Sequence, residues 1–337
     1  MAFRINNLKK TIFILGSNSF SGSNFVKLLL DKGYKVIGVS RSKEYNPVYL
    51  PYKKSKNIKN FKLFSYDLNK QLLKIVNLFK KYKPIYVVNF AAQGMVNESW
   101  LSPEHWYNTN VLSQVKLLNK LRTFKYIKKY LQVTTPEVYG SFNAWKLESN
   151  IFKPSTPYAI SRASLDMHLL ACYKVYKFPV VFTRTANVFG PGQQLYRIIP
   201  KTIMKTLIKK KLELHGGGLS KRSFIYIDDS TRANFKVLMK GKTGETYHIS
   251  TKKIISIKTL VQKIIKKGKM NFKDLVNNSK DRRGKDHSYK LNNSKLRKEL
   301  GWNDKIPLDR GIDLTFDWII NNFKYLKNES LEYKHKK

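Results

Sequence analysis

The sequence predicts an α/β protein built on a doubly wound parallel sheet, with a smaller C-terminal α/β lobe. Three observations predict this class: short apolar runs alternate with helical patterns, a glycine-bearing turn follows the first run directly, and the alternation weakens beyond about residue 190. Strands and helices that alternate along a chain pack as a parallel sheet with helices on both faces.

Six apolar runs supply the predicted strands. They are continuous rather than alternating in polarity, as expected for strands that helices cover on both faces. The runs are TIFIL (11–15), KVIGVS (35–40), FKLFSY (61–66), IYVVNFAA (85–92), YLQVTT (130–135) and PVVFTRT (179–185). Segments with helical spacing separate them, for example NFVKLLLDKG and YAISRASLDMHLLACYKVY.

The chain divides into two unequal parts and a tail. We assign residues 1–188 to the sheet domain, to which a segment near 224–250 returns, and residues 189–325 mainly to a smaller lobe that closes a cleft against the sheet. The tail, residues 326–337, is polar and rich in lysine, so we expect it to be loose.

Composition restricts the class of function. A hydrophobic content of 42% supports a large core and excludes a disordered chain. The single cysteine, Cys172, allows neither an intramolecular disulfide nor a cysteine-based metal cluster. Because His215, His248 and His287 are scattered without the spacing of metal ligands, we expect no bound metal.

The net charge of +43 would suit a protein that binds nucleic acid or a membrane surface. The lysines, however, occur throughout the chain at helical spacing, as in KIVNLFKKYK, which favours solvated helix faces over a binding patch. We therefore expect neither partner, although the positive field would attract a small anionic substrate. The opening MAFRINNLKKTIFILG carries only five consecutive apolar residues and predicts a first strand, so we expect a cytoplasmic protein.

The turn after the first strand, GSNSFSG (16–22), has the spacing of a dinucleotide phosphate turn of the Rossmann type, with serine at its middle position. Gly16 permits the tight turn and Gly22 lets the helix pack against the strand. Ser19 is tolerable if its hydroxyl points toward phosphate or caps the helix. An ordinary polar turn is the alternative.

Residues after the next two strands bear on the cofactor. Ser40 and Arg41 stand where an acidic residue would hold the adenosine ribose, so NADP is at least as well suited as NAD, with a slight preference for NADP. Arg41 could equally be a solvated loop residue. Asp67 is a plausible acceptor for the adenine amino group, or a cap for the following helix.

Four residues carry the predicted chemistry. Thr135 and Glu137 stand at the carboxyl end of a buried strand, where ligands lie in such sheets. Tyr158 and Arg162 are four residues apart on a helix and share a face. A nearby cation favours the phenolate, so Tyr158 could remove a proton from a sugar hydroxyl while hydride leaves for nicotinamide.

These residues belong to an ordered set of motifs that resembles the extended short-chain dehydrogenase/reductase family. The pattern is most similar to nucleotide-sugar 4,6-dehydratases, in particular those acting on dTDP-glucose. The set comprises the turn at 16–22, NFAAQ (89–93), TTPEVYG (134–140), PYAISRA (157–163), RTANVFGPG (184–192), RSFIYIDD (222–229), GETYHI (244–249) and LGW (300–302). Further cofactor contacts implied by the resemblance are Phe20, Leu68, Ala91, Ala92, Tyr158 and Arg162.

The resemblance implies a cycle in three steps. Tyr158 takes the C4 hydroxyl proton as hydride leaves C4, while Thr135 hydrogen-bonds the C4 oxygen. Glu137 then removes the C5 proton as the C6 hydroxyl leaves as water. Hydride returns to C6, which gives a 4-keto-6-deoxy sugar and regenerates the cofactor.

Two positions depart from the dTDP-glucose pattern. Pro136 replaces the aspartate that serves as the acid for the leaving hydroxyl, but enzymes of the GDP-mannose type also lack that aspartate, and Glu137 could cover both tasks. Pro136 should also hold Thr135 extended and aim Glu137. Arg162 replaces lysine, which keeps the charge but changes the reach and geometry of its hydrogen bonds.

The resemblance also implies a nucleotide-diphosphate sugar as partner. Its pyrophosphate ligands would be Asn187, Arg222 and Arg282, with Arg197 beside the base and Asn110 supporting the active-site backbone. A homodimer through the helices around 104–122 and 158–177 is expected.

Alternatives stay open at this point. They are a GDP-mannose 4,6-dehydratase, a UDP-glucuronate decarboxylase and a catalytically weak relative that only binds nucleotide sugars. A 4-epimerase is less suited because it has no need of Glu137.

Overall fold

A computed structural model describes residues 11–281 and 286–336. Its main sheet has seven strands, all parallel, in the order β10-β6-β5-β4-β1-β2-β3. The strands in chain order are β1 (Thr11–Leu15), β2 (Lys35–Ser40), β3 (Phe61–Ser65), β4 (Tyr86–Asn89), β5 (Lys129–Thr134), β6 (Val180–Thr185), β7 (Asn187–Phe189), β8 (Leu212–His215), β9 (Lys221–Tyr226), β10 (Thr246–Ile249), β11 (Ile254–Ser256) and β12 (Val276–Ser279). The predicted doubly wound sheet is confirmed, and all six predicted runs contain its strands.

Helices cover both faces of this sheet. They are α1 (Phe20–Asp31), α2 (Leu72–Tyr82), α3 (Pro103–Tyr107), α4 (Ser113–Leu121), α5 (Pro157–Tyr176), α6 (Ile198–Leu207), α7 (Ile227–Lys240), α8 (Ile257–Lys267), α9 (Phe272–Leu275), α10 (Ser294–Leu300), α11 (Leu308–Asn321) and α12 (Phe323–Leu326). One apolar core packs α1 and α7 on one face, and a second packs α2, α4 and α5 on the other. This two-sided burial explains why the strand sequences are continuously apolar.

The smaller lobe is built on two short sheets, ordered β11-β9-β7 and β12-β8. Its core joins α6, α8 and α11, and it also receives Phe20 from the start of α1. This lobe lies at the same edge of the main sheet as the phosphate turn, because Phe20 belongs to that turn. The exact domain limits given above stay a prediction.

The end of the chain differs from the loose tail that we expected. Residues 327–336 form neither helix nor strand, yet Tyr333, His335 and Lys336 make side-chain contacts with the rest of the protein. Among the described residues, no helix is both long enough and apolar enough to cross a bilayer.

Candidate active site

The phosphate turn joins β1 to α1 through two sterically required glycines. Gly16 has φ +78°, and a Cβ placed on it would lie 2.7 Å from the backbone nitrogen of Ala91. A Cβ on Gly22 would lie 2.1 Å from the carbonyl oxygen of Gly16. No larger residue fits either position without moving backbone, as a close turn between strand, helix and ligand demands.

Ser19 caps the helix, one of the two roles that could explain a serine at this position. Its hydroxyl accepts from the backbone N–H of Gly22 at 3.1 Å and donates to the carbonyl of Gly16 at 2.7 Å. Capping satisfies one of the first backbone donors of α1 and leaves the helix N-terminus intact as an anion site.

Two residues at the end of β2, Ser40 and Arg41, make hydrogen bonds within the protein. The buried Ser40 hydroxyl accepts from the backbone N–H of Asn18 at 2.9 Å, so it supports the phosphate turn from behind. Arg41 donates to the Gln93 side-chain oxygen at 3.3 Å and to the Lys336 carbonyl at 3.4 Å. Arg41 is therefore more than a solvated loop residue.

The other expected cofactor residues lie along the same strand ends. Asp67 accepts from the backbone N–H of Asn69 at 2.8 Å within the turn after β3. It does not cap the following helix, whose N-cap is Gln71. Leu68 and Ala91 pack against one face of the sheet core. Ala92 follows on the exposed rim of the cleft.

The tip of β5 places the predicted acid–base residue. Thr135 is extended, with φ −130° and ψ 149°, and is the N-cap of a short turn, Pro136–Tyr139. Its hydroxyl accepts from the backbone N–H of Glu137 at 3.3 Å. Pro136 is the first residue of this turn and has a fixed φ, and Thr135 before it is extended.

Helix α5 brings Tyr158 and Arg162 to the same strand tip. The Thr156 hydroxyl caps the helix and Pro157 opens it, which holds Tyr158 in the first turn. Arg162 is only 3% exposed and donates to the carbonyl of Val133 in β5. Its Nε and Nη1 atoms have no hydrogen-bond partner within the described residues. Buried donors of this kind normally have a partner.

The electrostatics of this group are set mainly by burial. Burial raises the pKa of Glu137 to about 7, although Arg222 and Arg197 oppose this increase. Burial also raises the pKa of Tyr158, and the Glu137 carboxylate adds to the increase. Arg162 does lower the Tyr158 pKa, as expected, but it does not outweigh burial, so the resting phenol is protonated.

Asn110 makes hydrogen bonds with the chain that follows β4. It lies in a π-helical turn, Asn108–Leu112, that widens the α3–α4 connection. Its side-chain oxygen accepts from the Gln93 N–H at 2.7 Å, and its amide donates to the Gln93 carbonyl and to Ser161 at 3.0 Å each. One buried amide therefore ties the end of β4 to α5.

Two arginines with predicted substrate roles lie near the acid–base group. Arg222, a predicted pyrophosphate ligand, and Arg197, predicted to lie beside the base, both lower the pKa of the Glu137 carboxyl. Asn187 is exposed on β7, which pairs with the strand that carries Arg222. Arg282 lies outside the described residues, and its assignment stays a prediction.

Our sequence interpretation missed a second group beside Glu137. Tyr289 donates to Asp286, which also accepts from Ser155 at 2.9 Å, and the Arg222 guanidinium lies 4.4 Å from the centre of the Tyr289 ring. The Asp286 carboxylate raises the pKa of Glu137. The signal available was DRRGKD, which ends on Asp286, but we used only its arginine.

The arrangement fits a nicotinamide dinucleotide. The two glycines let the strand, the turn and the helix pack closely, which leaves the backbone N–H groups at the start of α1 as an anion site, and the unpartnered Arg162 atoms offer buried donors for ribose hydroxyls. Residues at the cleft that would hold the cofactor are Gly16, Ser19, Gly22, Asp67, Tyr158 and Arg162.

Comparison with known proteins supports the same assignment. The family model described as GDP-mannose 4,6 dehydratase matches residues 13–315. The human dTDP-D-glucose 4,6-dehydratase is 32% identical over 331 residues, which cover 95% of this chain and 92% of the relative.

Two solved dTDP-glucose 4,6-dehydratases share the fold. DesIV from Streptomyces venezuelae, solved with NAD bound, has a TM-score of 0.87 and 26% identity, with coverage of 94% of this chain and 98% of that one. The enzyme from Bacillus anthracis, also in complex with NAD, has a TM-score of 0.83 and 31% identity, with coverage of 94% and 99%. The chain belongs to the NAD-dependent epimerase/dehydratase family of extended short-chain dehydrogenases/reductases, in its 4,6-dehydratase branch.

Proposed function

We propose that the protein is a nucleotide-sugar 4,6-dehydratase that acts on dTDP-glucose. The observation that carries the proposal is that Tyr158 and Glu137 interact electrostatically in one cleft, beside the phosphate-turn edge of the sheet. A 4,6-dehydratase needs a group for the C4 hydroxyl proton and a base for the adjacent C5 proton. A 4-epimerase does not need the second group.

In the proposed reaction, the Tyr158 phenol, which is protonated at rest, first loses its proton to solvent. The resulting phenolate then receives the proton of the C4 hydroxyl, while Thr135 hydrogen-bonds the same oxygen. When bound, the nicotinamide accepts a hydride from C4 and later supplies it to C6. Arg162 stabilises the Tyr158 phenolate as it forms, because it lowers the pKa of that phenol. Glu137 removes the C5 proton once C4 is a ketone.

Glu137 also serves as the acid for the leaving C6 hydroxyl. Pro136 occupies the position next to it and has no group that titrates. With its pKa raised to about 7, the Glu137 carboxyl can give up and take back a proton near neutral pH. One residue thus performs both transfers, moving the proton from C5 to the departing hydroxyl. When C6 receives hydride, Glu137 returns a proton taken from solvent to C5, which completes the 4-keto-6-deoxy sugar.

The named relatives support our choice of nucleotide and of cofactor. Relatives named as dTDP-glucose 4,6-dehydratases favour dTDP-glucose, whereas the family model is described by GDP-mannose, so GDP-mannose is the second candidate. Ser40 and Arg41 favoured NADP in the sequence analysis, but we now favour NAD. Ser40 supports backbone, Arg41 contacts Gln93, and the similar structures contain NAD.

We further propose a cytoplasmic homodimer. Large apolar side chains are exposed on the helices around 104–122 and 158–177, as a two-helix interface between copies would require. These side chains are Tyr107, Leu112, Ile160, Met167, Val175 and Tyr176. Sedimentation analysis of the purified protein tests the dimer.

The activity is tested with purified protein and a panel of dTDP-glucose, GDP-mannose, UDP-glucose and UDP-glucuronate. A 4-keto-6-deoxy product, recognised by its absorbance in alkali, is expected with dTDP-glucose. Release of carbon dioxide from UDP-glucuronate would indicate a decarboxylase instead. Binding without conversion of any member would support a protein that only binds nucleotide sugars.

A further inference from the structure

The C-terminal segment 331–336 contacts both the smaller lobe and the sheet domain. Its side chains alternate: Leu331, Tyr333 and His335 are partly buried, while the residues between them are exposed. A period of two is the pattern of an extended segment with one face docked on a surface. The segment therefore docks on a specific surface of the protein.

The docking surface of this segment begins on the smaller lobe. Leu331 packs against the core of that lobe, and the exposed Glu332 pairs with Lys201 of α6 at 2.7 Å. The ring of Tyr333 then meets the ring of Tyr196 edge-on, with 5.3 Å between the ring centres. The neighbour of Tyr196 is Arg197, which faces Glu137 in the cleft.

The docking surface continues on the sheet domain. The His335 imidazole lies parallel to the Trp106 indole at 5.0 Å, and its Nε2 is 2.8 Å from Nδ1 of His105. The Lys336 ammonium donates to the Ser42 hydroxyl at 3.1 Å, near the end of β2. The segment thus spans from the smaller lobe to the sheet domain.

Gln93 links this segment to the cofactor edge. Its side-chain nitrogen donates to the Tyr333 hydroxyl at 2.8 Å and lies 3.2 Å from Nδ1 of His335. Its oxygen accepts from Arg41. Gln93 follows β4 and Arg41 follows β2, and β1 lies between those strands, so the pair bridges the strand end where the phosphate turn begins.

We propose that residues 331–336 form a strap that closes the cofactor crevice and slows release of the dinucleotide. The proposal rests on the proposed function, in which each cycle regenerates the cofactor, so that turnover never requires its release. A strap anchored on both lobes would hold the crevice closed through successive cycles. Tyr333 and His335 act on Gln93 and are positioning residues, not catalytic ones.

The test compares the full chain with a variant that lacks residues 329–337 and with the variants Tyr333→Phe and His335→Ala. Each protein is loaded with NADH, and its release is followed by fluorescence after a chase with excess NAD. We expect release to be about tenfold faster without the strap and roughly threefold to tenfold faster in each point variant, as the loss of one or two hydrogen bonds implies. Lys334→Ala, which changes an exposed residue of the same segment, should release NADH at the rate of the full chain.

Thermal unfolding of every variant separates loss of the strap from loss of the fold. Equal release rates from folded full-length and strap variants would overturn the strap while leaving the proposed function in place. If the variants bound NADH faster than the full chain but released it at the same rate, the segment would only hinder entry of the dinucleotide. That result would also overturn the proposal. If neither the full chain nor the variants bound NADH, the assignment of the cofactor site would fall, and the strap with it.

Discussion

The carboxylate of Glu137 raises the pKa of the Tyr158 phenol, although the two residues come from different elements of the fold. One stands at the tip of β5 and the other in the first turn of α5. In the proposed reaction, their proximity places a proton acceptor for a sugar hydroxyl beside a base for the neighbouring carbon. The predictions below depend on this pairing and on the residues that hold it.

Replacement of Glu137 should remove activity but stabilise the fold at alkaline pH. Burial raises its pKa from 4.5 to about 7, so the folded protein holds this proton to higher pH than the unfolded chain does. Ionisation of Glu137 therefore costs stability that grows as pH rises from about 5 to above 7. Glu137→Gln should increase the free energy of unfolding at pH 8 by about 1–3 kcal/mol, with little change at pH 5. Turnover should decrease at least ~100-fold.

Urea unfolding at the two pH values and a rate assay check this prediction. Asp274→Asn, at an exposed carboxylate of α9, is the control and should change neither quantity. A Glu137→Gln protein that is less stable than the parent at pH 8 would contradict the raised pKa.

The pH dependence of turnover should report the same carboxyl. Turnover should increase as pH rises through about 7, because Glu137 must be ionised to remove the C5 proton. Arg222 is the strongest influence that lowers the Glu137 pKa, so Arg222→Gln should move the midpoint to higher pH. Lys221→Gln, at the exposed neighbour, should leave the midpoint in place. If Arg222→Gln had the same midpoint as the parent, the pH dependence of turnover would not report the ionisation of Glu137.

Arg162→Lys tests the departure from the family pattern. Lysine restores a cation that favours the phenolate, but it gives up the planar group that also contacts the Val133 carbonyl. We expect turnover to stay within about tenfold of the parent and to decline at alkaline pH, since lysine can lose its proton near pH ~10 and arginine does not. Steady-state rates between pH 6 and 11 provide the check. Arg162→Lys with no alkaline decline would show that the cation does not assist Tyr158.

Gly16→Val should prevent binding of the dinucleotide. The new side chain would lie against the Ala91 backbone at a positive φ, so the turn would have to open. Titration with NADH fluorescence should show no saturable binding, while circular dichroism should still show helices and strands. Gly94→Ala is the matched control, because its Cβ would have 3.8 Å to the nearest atom and should leave affinity unchanged. Retained affinity in Gly16→Val would count against the phosphate turn.

Most of the fold could be predicted because its signals are local. Most residues in the runs that became β1 to β6 are apolar, as expected for strands that helices cover on both faces. The turn residues Gly16, Ser19 and Gly22 and the Thr135–Pro136–Glu137 tip also follow from short segments. Local sequence determines caps, turns and strand ends.

The remainder of the site depends on contacts between distant segments. Asp286 and Tyr289 reach Glu137 from about 150 residues further along the chain, and no local pattern indicates that approach. The sign of the Tyr158 pKa shift depends on how deeply the cleft buries the phenol, which composition does not reveal. The C-terminal segment looked loose because it is rich in lysine, although the alternation of Leu331, Tyr333 and His335 was visible.

The most direct test of the central claim follows a hydrogen through the reaction. The protein is incubated with dTDP-glucose that carries deuterium at C4, and the product is analysed by nuclear magnetic resonance. If the proposed function holds, the deuterium appears at C6 of a 4-keto-6-deoxy sugar, and Glu137→Gln gives none of this product. Deuterium that stays at C4, or that is lost without a 6-deoxy product, would contradict it.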